Sequence, residues 1–159
     1  MSTKIAYVTG GMGGIGTAIC QRLHTMGYKV IAGCGPSRDH AKWIAEQKAK
    51  GFSFHASVGN VADWDSTSAA FTKAVQEHGV IDVLVNNAGV SMRAVFNDAD
   101  LSVLKKLMEI NFWGTVYCTK YALPEILKTK GVVVGVSSIA GFKGLPGRTG
   151  YSASKFAMH

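Results

Sequence analysis

Thr9-Gly10-Gly11-Met12-Gly13-Gly14-Ile15-Gly16 follows a short apolar run and precedes a segment whose apolar residues recur at helical spacing. Glycines between a strand and a helix let the chain turn tightly and let its backbone approach a ligand with no Cβ in the way. Backbone N–H groups at the start of the helix then attract phosphate. The stretch therefore predicts a dinucleotide-binding turn, with a plain strand-to-helix connection as the alternative. Its candidate cofactor-binding residues are Gly10, Met12, Gly13, Gly14, Ile15 and Gly16.

Apolar runs and helix-like segments alternate outward from this turn. We expect strands over residues 5–8, 29–32, 52–58, 81–85 and 132–136. We expect helices over residues 14–26 and 40–50, one from the caps Asp63 and Asp65 to about residue 78, one over 101–130 with a kink or boundary at Pro124, and one beginning near Gly150. Because the strands are continuously apolar, they indicate a parallel sheet covered on both faces. We predict a single α/β domain over residues 1–159, built as a doubly wound parallel sheet.

The composition is that of an ordinary globular chain. Hydrophobic residues make up 47% and charged residues 17% of the sequence, and no apolar run approaches the roughly 20 residues that span a bilayer. The N-terminus lacks the apolar core of a secretory signal. The cysteines, Cys20, Cys34 and Cys118, are odd in number and widely spaced, which favours neither a disulfide framework nor a metal site. We therefore expect a cytoplasmic protein with no membrane partner and no metal.

The net charge of +7 allows two interpretations. A basic surface can attract nucleic acid, but the lysines and arginines are scattered and do not interleave with aromatic residues. We therefore expect no nucleic-acid partner. The charge fits either a solvated basic surface or attraction for phosphate-bearing ligands such as a dinucleotide or a coenzyme A thioester.

The segment after the second predicted strand bears on the choice of cofactor. An acid usually stands there to bind the ribose hydroxyls of NAD, whereas this chain has Gly33-Cys34-Gly35-Pro36-Ser37-Arg38 and no acid before Asp39. Small residues leave room for a 2′-phosphate, and arginine binds phosphate well through two parallel hydrogen bonds. The segment favours NADP over NAD, with Gly35, Ser37 and Arg38 as candidate binding residues.

Tyr151 and Lys155 are four residues apart, so on a helix they share one face. Reducing a ketone requires a proton for the developing alkoxide and donors that hold the carbonyl oxygen. A nearby ammonium favours the phenolate and makes a tyrosine a better acid–base group near neutral pH. Ser138, near the end of the fifth predicted strand, can donate a second hydrogen bond to the same oxygen. These residues predict a carbonyl-reducing centre with Tyr151 as acid, Lys155 as its electrostatic partner and Ser138 as the oxyanion donor.

Tyr151 and Lys155 alone are not specific evidence for such a centre, because a tyrosine and a lysine four residues apart also occur by chance on ordinary amphipathic helices. The position of Ser138 adds weight, since ligands of open parallel sheets bind beyond the carboxyl ends of the strands. The five histidines show no metal-ligand spacing, and no cysteine has a partner for nucleophilic catalysis.

In this combination the residues resemble the short-chain dehydrogenase/reductase family over nearly the whole chain. The resemblance implies a Rossmann-type sheet with strand order 3-2-1-4-5 and an NAD(P)-dependent oxidoreductase that acts on CH–OH groups. The matching elements are Thr9, Gly10, Gly14 and Gly16 of the turn, Asn60-Val61-Ala62-Asp63, Asn86-Asn87-Ala88-Gly89, Asn111, Ser138, Tyr151 and Lys155.

The resemblance also implies roles that spacing alone does not give. Asn60 and Val61 would lie at the adenine, and the backbone of Asn87, Ala88 and Gly89 would line the cofactor. Asn111 would hold a water in a proton relay to Lys155, which would itself hydrogen-bond the nicotinamide ribose. Tyr151 and Lys155 thus count as both catalytic and cofactor-binding residues.

The implied substrate differs along the chain. Residues 5–65 resemble the NADPH-dependent acetoacetyl-CoA reductases of the family, which implies a ketone carried on a 3-oxoacyl thioester such as acetoacetyl-CoA. Residues 141–150 resemble other branches that reduce steroid-like or small ketones, with Leu145, Pro146 and Arg148 where more polar residues are expected. Both substrate classes stay open.

Family members continue beyond the Tyr-x-x-x-Lys motif, so the resemblance implies that the C-terminal part of the usual fold is missing from this chain. We then expect residues 132–136 to form an exposed apolar edge strand and the helix of Tyr151 to have little structure to fix it. A homo-oligomer is implied if the C-terminal part is present. Three hypotheses follow: a carbonyl reductase, a cofactor-binding fragment without turnover, and an epimerase or dehydratase that uses the same Tyr and Lys.

Overall fold

Five parallel strands form one sheet in the computed structural model, which describes residues 3–159. The strands are β1 (Ile5–Val8), β2 (Lys29–Cys34), β3 (Phe54–Val58), β4 (Val83–Asn86) and β5 (Val132–Gly135). The helices are α1 (Gly14–Thr25), α2 (His40–Ala49), α3 (Trp64–His78), α4 (Leu101–Leu107), α5 (Gly114–Thr129) and α6 (Thr149–Phe156), with a π-helical segment over Met108–Trp113 and 3-10 turns over Phe96–Asp98 and Ile139–Gly141. The predicted α/β class is confirmed.

The strand order is β3-β2-β1-β4-β5, as the Rossmann-type prediction requires. The order reverses between β1 and β4, the position at which such sheets open a crevice for ligands. In the register, Val8 lies beside Ala32 of β2 and Val85 of β4. The chain segments that follow these strands therefore leave the sheet at the same edge.

Strand β1 and residues 30–34 of β2 are apolar and buried because both faces of the sheet are covered at its centre. Ile5 and Tyr7 of β1 pack with residues of α3 and α5, among them Phe71 and Cys118. Val8 belongs to a second cluster on the opposite face, which includes residues of α1 and α2. Alternate residues of one strand thus enter two separate cores, which is the pattern that the continuous apolar runs predicted.

The long helix predicted over residues 101–130 is divided, but not at Pro124. The π-helical segment Met108–Trp113 separates α4 from α5, and Pro124 lies inside α5. Pro124 is exposed, so the helical hydrogen bond that proline cannot make is lost on a water-facing side. Of the kink or boundary expected at Pro124, the boundary was therefore wrong, because α5 continues through this residue.

Strand β5 is the exposed edge of the sheet, as predicted. It pairs with β4 on one side, and its residues Val132, Val133 and Val134 are 54%, 39% and 41% exposed. None of the helices in residues 3–159 is both long enough and apolar enough to cross a membrane.

Two histidines meet where β3 packs on the end of α3. The rings of His55 and His78 are 4.4 Å apart between centroids. Burial lowers the pKa of both below the ordinary value of 6.5. The neighbouring His55 lowers the pKa of His78 further, Lys29 lowers both, and Glu77 acts in the opposite direction on His78. The folded protein therefore favours the neutral rings more than the unfolded chain does.

This pair predicts acid sensitivity of the folded state. Because the unfolded chain binds more protons, the free energy of unfolding should be highest above pH 6.5 and should fall as the pH drops through the folded-state pKa values. Thermal unfolding of wild type and His78→Gln between pH 8 and pH 5 tests this, and the variant should lose less melting temperature on acidification. His40→Gln, which removes an exposed histidine, is the matched control. If the melting temperatures of wild type and His78→Gln fell by the same amount between pH 8 and pH 5, the prediction would be contradicted.

Candidate active site

Three adjoining cavities form a continuous cleft along the carboxyl edge of the sheet. Their volumes are about 120, 270 and 150 Å³. The first two share Gly10, Gly33, Cys34, Gly35 and Ala88. The second and third share Ile15, Asn87 and Gly89. The cleft therefore runs from β3 past the glycine turn to helix α6, an elongated shape that suits a dinucleotide.

The glycine turn forms the middle of the cleft. Every candidate residue of the turn lines this cavity: Gly10, Met12, Gly13, Gly14, Ile15 and Gly16. A Cβ on Gly16 would overlap the carbonyl oxygen of Gly10, and Gly10 itself has a left-handed φ of +61°. A Cβ on Gly14, in contrast, would meet nothing within 4 Å. The turn thus needs glycine for its own folding at two positions and leaves open space at a third.

A clasp between β1 and β4 holds this turn in place. The Thr9 hydroxyl oxygen accepts hydrogen bonds from the backbone N–H groups of Asn87 and Ala88, both at 2.9 Å. The Asn87 amide nitrogen donates to the carbonyl oxygens of Thr9 and Gly10 at 2.9 and 3.1 Å. Asn87, Ala88 and Gly89 also line the middle cavity. Thr9 is a functional residue for which no role was predicted, although its place in the matched motif was a signal.

The loop after β2 lines the same cavity through Gly35 and Arg38. Ser37 is exposed beside them but does not line the cavity. No residue that lines this part of the cleft carries a carboxylate. Asp39, the first acid after β2, caps helix α2 by accepting a hydrogen bond from the Lys42 backbone N–H at 3.0 Å. Among residues 3–159, Arg38 is thus the one charged side chain that lines the middle cavity.

The far end of the cleft lies beside β3, where Asn60 and Val61 line the first cavity with Gly59. The Asn60 side-chain oxygen accepts a hydrogen bond from Ala62 N–H at 3.1 Å, which fixes the turn before α3. Val61 packs on Gly114, where an added Cβ would lie 3.0 Å from Val61 Cγ2. The first turn of α5 therefore helps to form this end.

Helix α6 brings Tyr151 and Lys155 to the third cavity, together with Ser137 and Gly89. Its N-terminal end is packed tightly: a Cβ on Gly150 would lie 2.5 Å from Leu104 Cδ2 and 3.1 Å from Leu107 Cδ1 of α4. The expectation that this helix has little structure to fix it was wrong, because α4 and the π-helical segment support it.

Lys155 is 4% exposed. Its ammonium donates to the carbonyl oxygen of Val136 at 2.9 Å and contacts Met158 Sδ at 3.5 Å. Burial lowers the pKa of Lys155 below its usual value. A lysine held in this way presents its ammonium at a fixed place beside Tyr151 in the cleft.

Asn111 is fully buried in the π-helical segment. Its amide nitrogen donates to Val90 O and to Ser154 Oγ, both at 2.9 Å, and its oxygen accepts from Val90 N at 2.8 Å. Ser154 Oγ donates in turn to the carbonyl oxygen of Tyr151. Asn111 therefore ties the segment after β4 to helix α6, a bracing contact that was not predicted from the sequence. Its role in a water relay stays a prediction.

Ser138 caps a 3-10 turn and follows Ser137, which lines the third cavity. Its hydroxyl oxygen accepts a hydrogen bond from Ala140 N–H at 3.1 Å, which leaves its own proton available for donation. Within residues 3–159, no hydrogen bond joins Ser138 to Tyr151 or Lys155, and it is Ser137 that lines the third cavity. No group of three or more His, Cys, Asp or Glu side chains in the same part of the chain could hold a metal ion.

A parallel sheet with this order, a glycine turn after β1 and a buried lysine one helical turn from a tyrosine define a dinucleotide-binding α/β protein. The model of the short chain dehydrogenase family matches residues 4–159. The chain belongs to that family.

Similar proteins include several reductases. The chain is 48% identical to an acetoacetyl-CoA reductase of Cupriavidus necator over 161 aligned residues. It is 35% identical to a 3-oxoacyl-(acyl-carrier-protein) reductase of Staphylococcus aureus over 155 residues. The first alignment covers 100% of this chain and 65% of the relative, and the second covers 96% and 63%. The chain thus spans slightly less than two thirds of the length of these relatives.

Solved structures share the fold closely. An alcohol dehydrogenase of the archaeon Thermococcus sibiricus, in complex with 5-hydroxy-NADP, has a TM-score of 0.90 at 26% identity, covering 98% of this chain and 67% of that one. A short-chain dehydrogenase of Streptomyces avermitilis has a TM-score of 0.89 at 30% identity, covering 99% and 57%.

Proposed function

We propose that this chain binds NADP(H) and carries the reaction centre of an oxidoreductase that reduces a ketone to a secondary alcohol. The observation that carries the proposal is the continuity of the cleft, because it joins the glycine turn to Tyr151 and Lys155. The cavity proposed to bind the dinucleotide and the cavity proposed for the acid–base chemistry thus adjoin at one edge of the sheet.

The residues of the cleft fit a nicotinamide dinucleotide. The open space over Gly14 and the N-terminus of α1 suit a pyrophosphate. The adenine end would be held by Asn60 and Val61. A 2′-phosphate would be bound by Gly35, Ser37 and Arg38. The nicotinamide ribose would be bound by Lys155. When bound, the cofactor would supply hydride to the ketone.

Three side chains would do the remaining chemistry. Tyr151 would donate the proton that the developing alkoxide needs, and the nearby ammonium of Lys155 would favour the phenolate that remains. The free proton of Ser138 would hold the carbonyl oxygen. Asn111 would hold helix α6, and with it Tyr151 and Lys155, in position through its hydrogen bonds to Ser154 and to the segment after β4.

We further propose a 3-oxoacyl thioester such as acetoacetyl-CoA as the substrate. The relatives named acetoacetyl-CoA reductase and 3-oxoacyl-(acyl-carrier-protein) reductase support this class. The test is turnover of acetoacetyl-CoA with NADPH, set against an equilibrium titration with NADPH alone. Binding without turnover of any ketone would reject the reductase in favour of a cofactor-binding module. Turnover of a steroid-like or small ketone without the thioester would replace the substrate class.

Arg38 supplies a prediction on cofactor choice. Arg38→Gln should raise the dissociation constant for NADPH by about tenfold to a hundredfold, since hydrogen bonds to charged groups contribute roughly 1.5–3 kcal/mol. The dissociation constant for NADH should change little, because NADH has no 2′-phosphate. Fluorescence titration with both cofactors measures the ratio. Arg22→Gln, which removes an exposed arginine of α1, is the control, and equal weakening of both cofactors by Arg38→Gln would contradict the prediction.

A further inference from the structure

Arg148 holds an unusual place beside the reaction centre. It is half-buried at the N-terminus of helix α6. The central carbon of its guanidinium lies 5.8 Å from the centroid of the Tyr151 ring, within the range of a cation–π contact. Its Nη1 donates a 2.6 Å hydrogen bond to Ser91 Oγ, and Ser91 lines the same cavity as Tyr151 and Lys155. The guanidinium therefore stands at the rim of the reaction end of the cleft.

Within the described part of the chain, Arg148 forms no ion pair. The ion pairs within residues 3–159 involve Lys73, His78 and Lys128 with glutamates, and none includes an arginine. Arg148 has five N–H donors, and one of them has a partner. A guanidinium with several unused donors suits a carboxylate or a phosphate, which it can bind through two parallel hydrogen bonds.

The backbone around Arg148 is fixed, so the cation is presented in a defined position. Ala94 N–H donates to the carbonyl oxygen of Gly147 at 2.9 Å. Gly147 has a φ of +69°, and a Cβ there would lie 3.7 Å from Arg93 Cγ, so a second arginine passes close by. The segment after β4 and the loop before α6 are thus joined at this rim. Ser91 of the first segment lines the cavity of Tyr151, and the second loop leads directly into the helix that carries Tyr151.

We propose that Arg148 determines substrate specificity by binding an anionic group, a carboxylate or a phosphate, of the molecule whose ketone is reduced. The inference rests on the proposed reductase function and adds a preference within it for anionic over neutral ketones. Ser91 Oγ and the Tyr151 ring hold the guanidinium at the rim of the cleft. The anion would come either from a small 3-oxo acid or from the phosphate-bearing tail of a thioester.

The test compares three ketones with the same 3-oxobutanoyl group and NADPH. Acetoacetate offers a carboxylate, acetoacetyl-CoA offers phosphates, and the N-acetylcysteamine thioester of acetoacetate is neutral. Arg148→Gln should lower kcat/KM by about tenfold to a hundredfold for one or both anionic ketones and leave the neutral thioester nearly unchanged. Arg148→Lys should restore part of the loss, because it keeps the charge without the planar guanidinium. Lys143→Gln removes the same charge from an exposed position in the same loop and should leave all three ketones unaffected.

Loss for acetoacetate alone would assign a carboxylate site, and loss for acetoacetyl-CoA alone a phosphate site. Equal losses for all three ketones, or none, would overturn the inference. Equilibrium titration of acetoacetate and coenzyme A into wild type and Arg148→Gln separates this outcome from failure of the proposed function. If wild type reduces no ketone but binds either anion through Arg148, the anion site stands and the reductase function fails. If the variant binds both anions as well as wild type does, the anion site fails.

Discussion

Tyr151→Phe should lower kcat for ketone reduction by roughly 10²–10⁴-fold, the usual contribution of a positioned acid–base group. The substitution removes only the phenolic O–H. It keeps the ring that packs near Arg148 at the rim of the cleft. The glycine turn and the loop after β2 lie in the adjoining cavity, so the dissociation constant for NADPH should stay close to that of wild type. Steady-state kinetics combined with an NADPH titration measures both quantities.

Tyr117→Phe makes the same chemical change away from the cleft. Tyr117 lies on α5, where it contacts Trp64 and Trp113 in an aromatic cluster. It should leave kcat unaffected, so it controls for loss of a tyrosine hydroxyl in general. If Tyr151→Phe turned over ketone as fast as Tyr117→Phe does, Tyr151 would not be the proton donor.

Gly16→Ala should weaken both the fold and NADPH binding. The new Cβ would overlap the carbonyl oxygen of Gly10 and lie 2.8 Å from Gly11 Cα and 2.9 Å from Asn87 Nδ2. These are backbone atoms and the amide of the clasp, so the turn itself must move, at a cost of about 1–3 kcal/mol. Moving the turn would also displace the N–H groups proposed to face a pyrophosphate, and the dissociation constant for NADPH should rise by at least about tenfold. Chemical unfolding and NADPH titration measure the two effects.

Two glycines serve as matched controls for this prediction. A Cβ on Gly144 would meet nothing within 4 Å, and Gly144 lies outside the cleft, so Gly144→Ala should match wild type in both measurements. Gly14→Ala should keep the stability, because its Cβ also meets nothing, yet weaken NADPH binding by occupying the open space above the turn. If Gly16→Ala unfolded at the same denaturant concentration as Gly144→Ala, the steric argument would be wrong.

The fold was predictable because its signals are local. The apolar runs within residues 5–8 and 29–32 indicate that both faces of the sheet are buried, even when the neighbouring strands are unknown. The glycine turn is recognisable because Gly10 and Gly16 stand where the backbone requires glycine. The boundary within residues 101–130 was missed because a π-helical segment keeps helical periodicity. This segment depends on tertiary contacts, since its residue Asn111 points inward and forms hydrogen bonds with Val90 and Ser154.

Periodicity and short spacing were enough to predict the parallel sheet, the glycine turn and the residue types of the candidate reaction centre. How these parts meet depends on the tertiary packing. The Thr9–Asn87 clasp joins residues 78 apart, and the Arg148–Ser91 contact joins residues 57 apart. No pattern in a linear chain specifies such pairs, since their distance depends on the packing of every strand and helix between them.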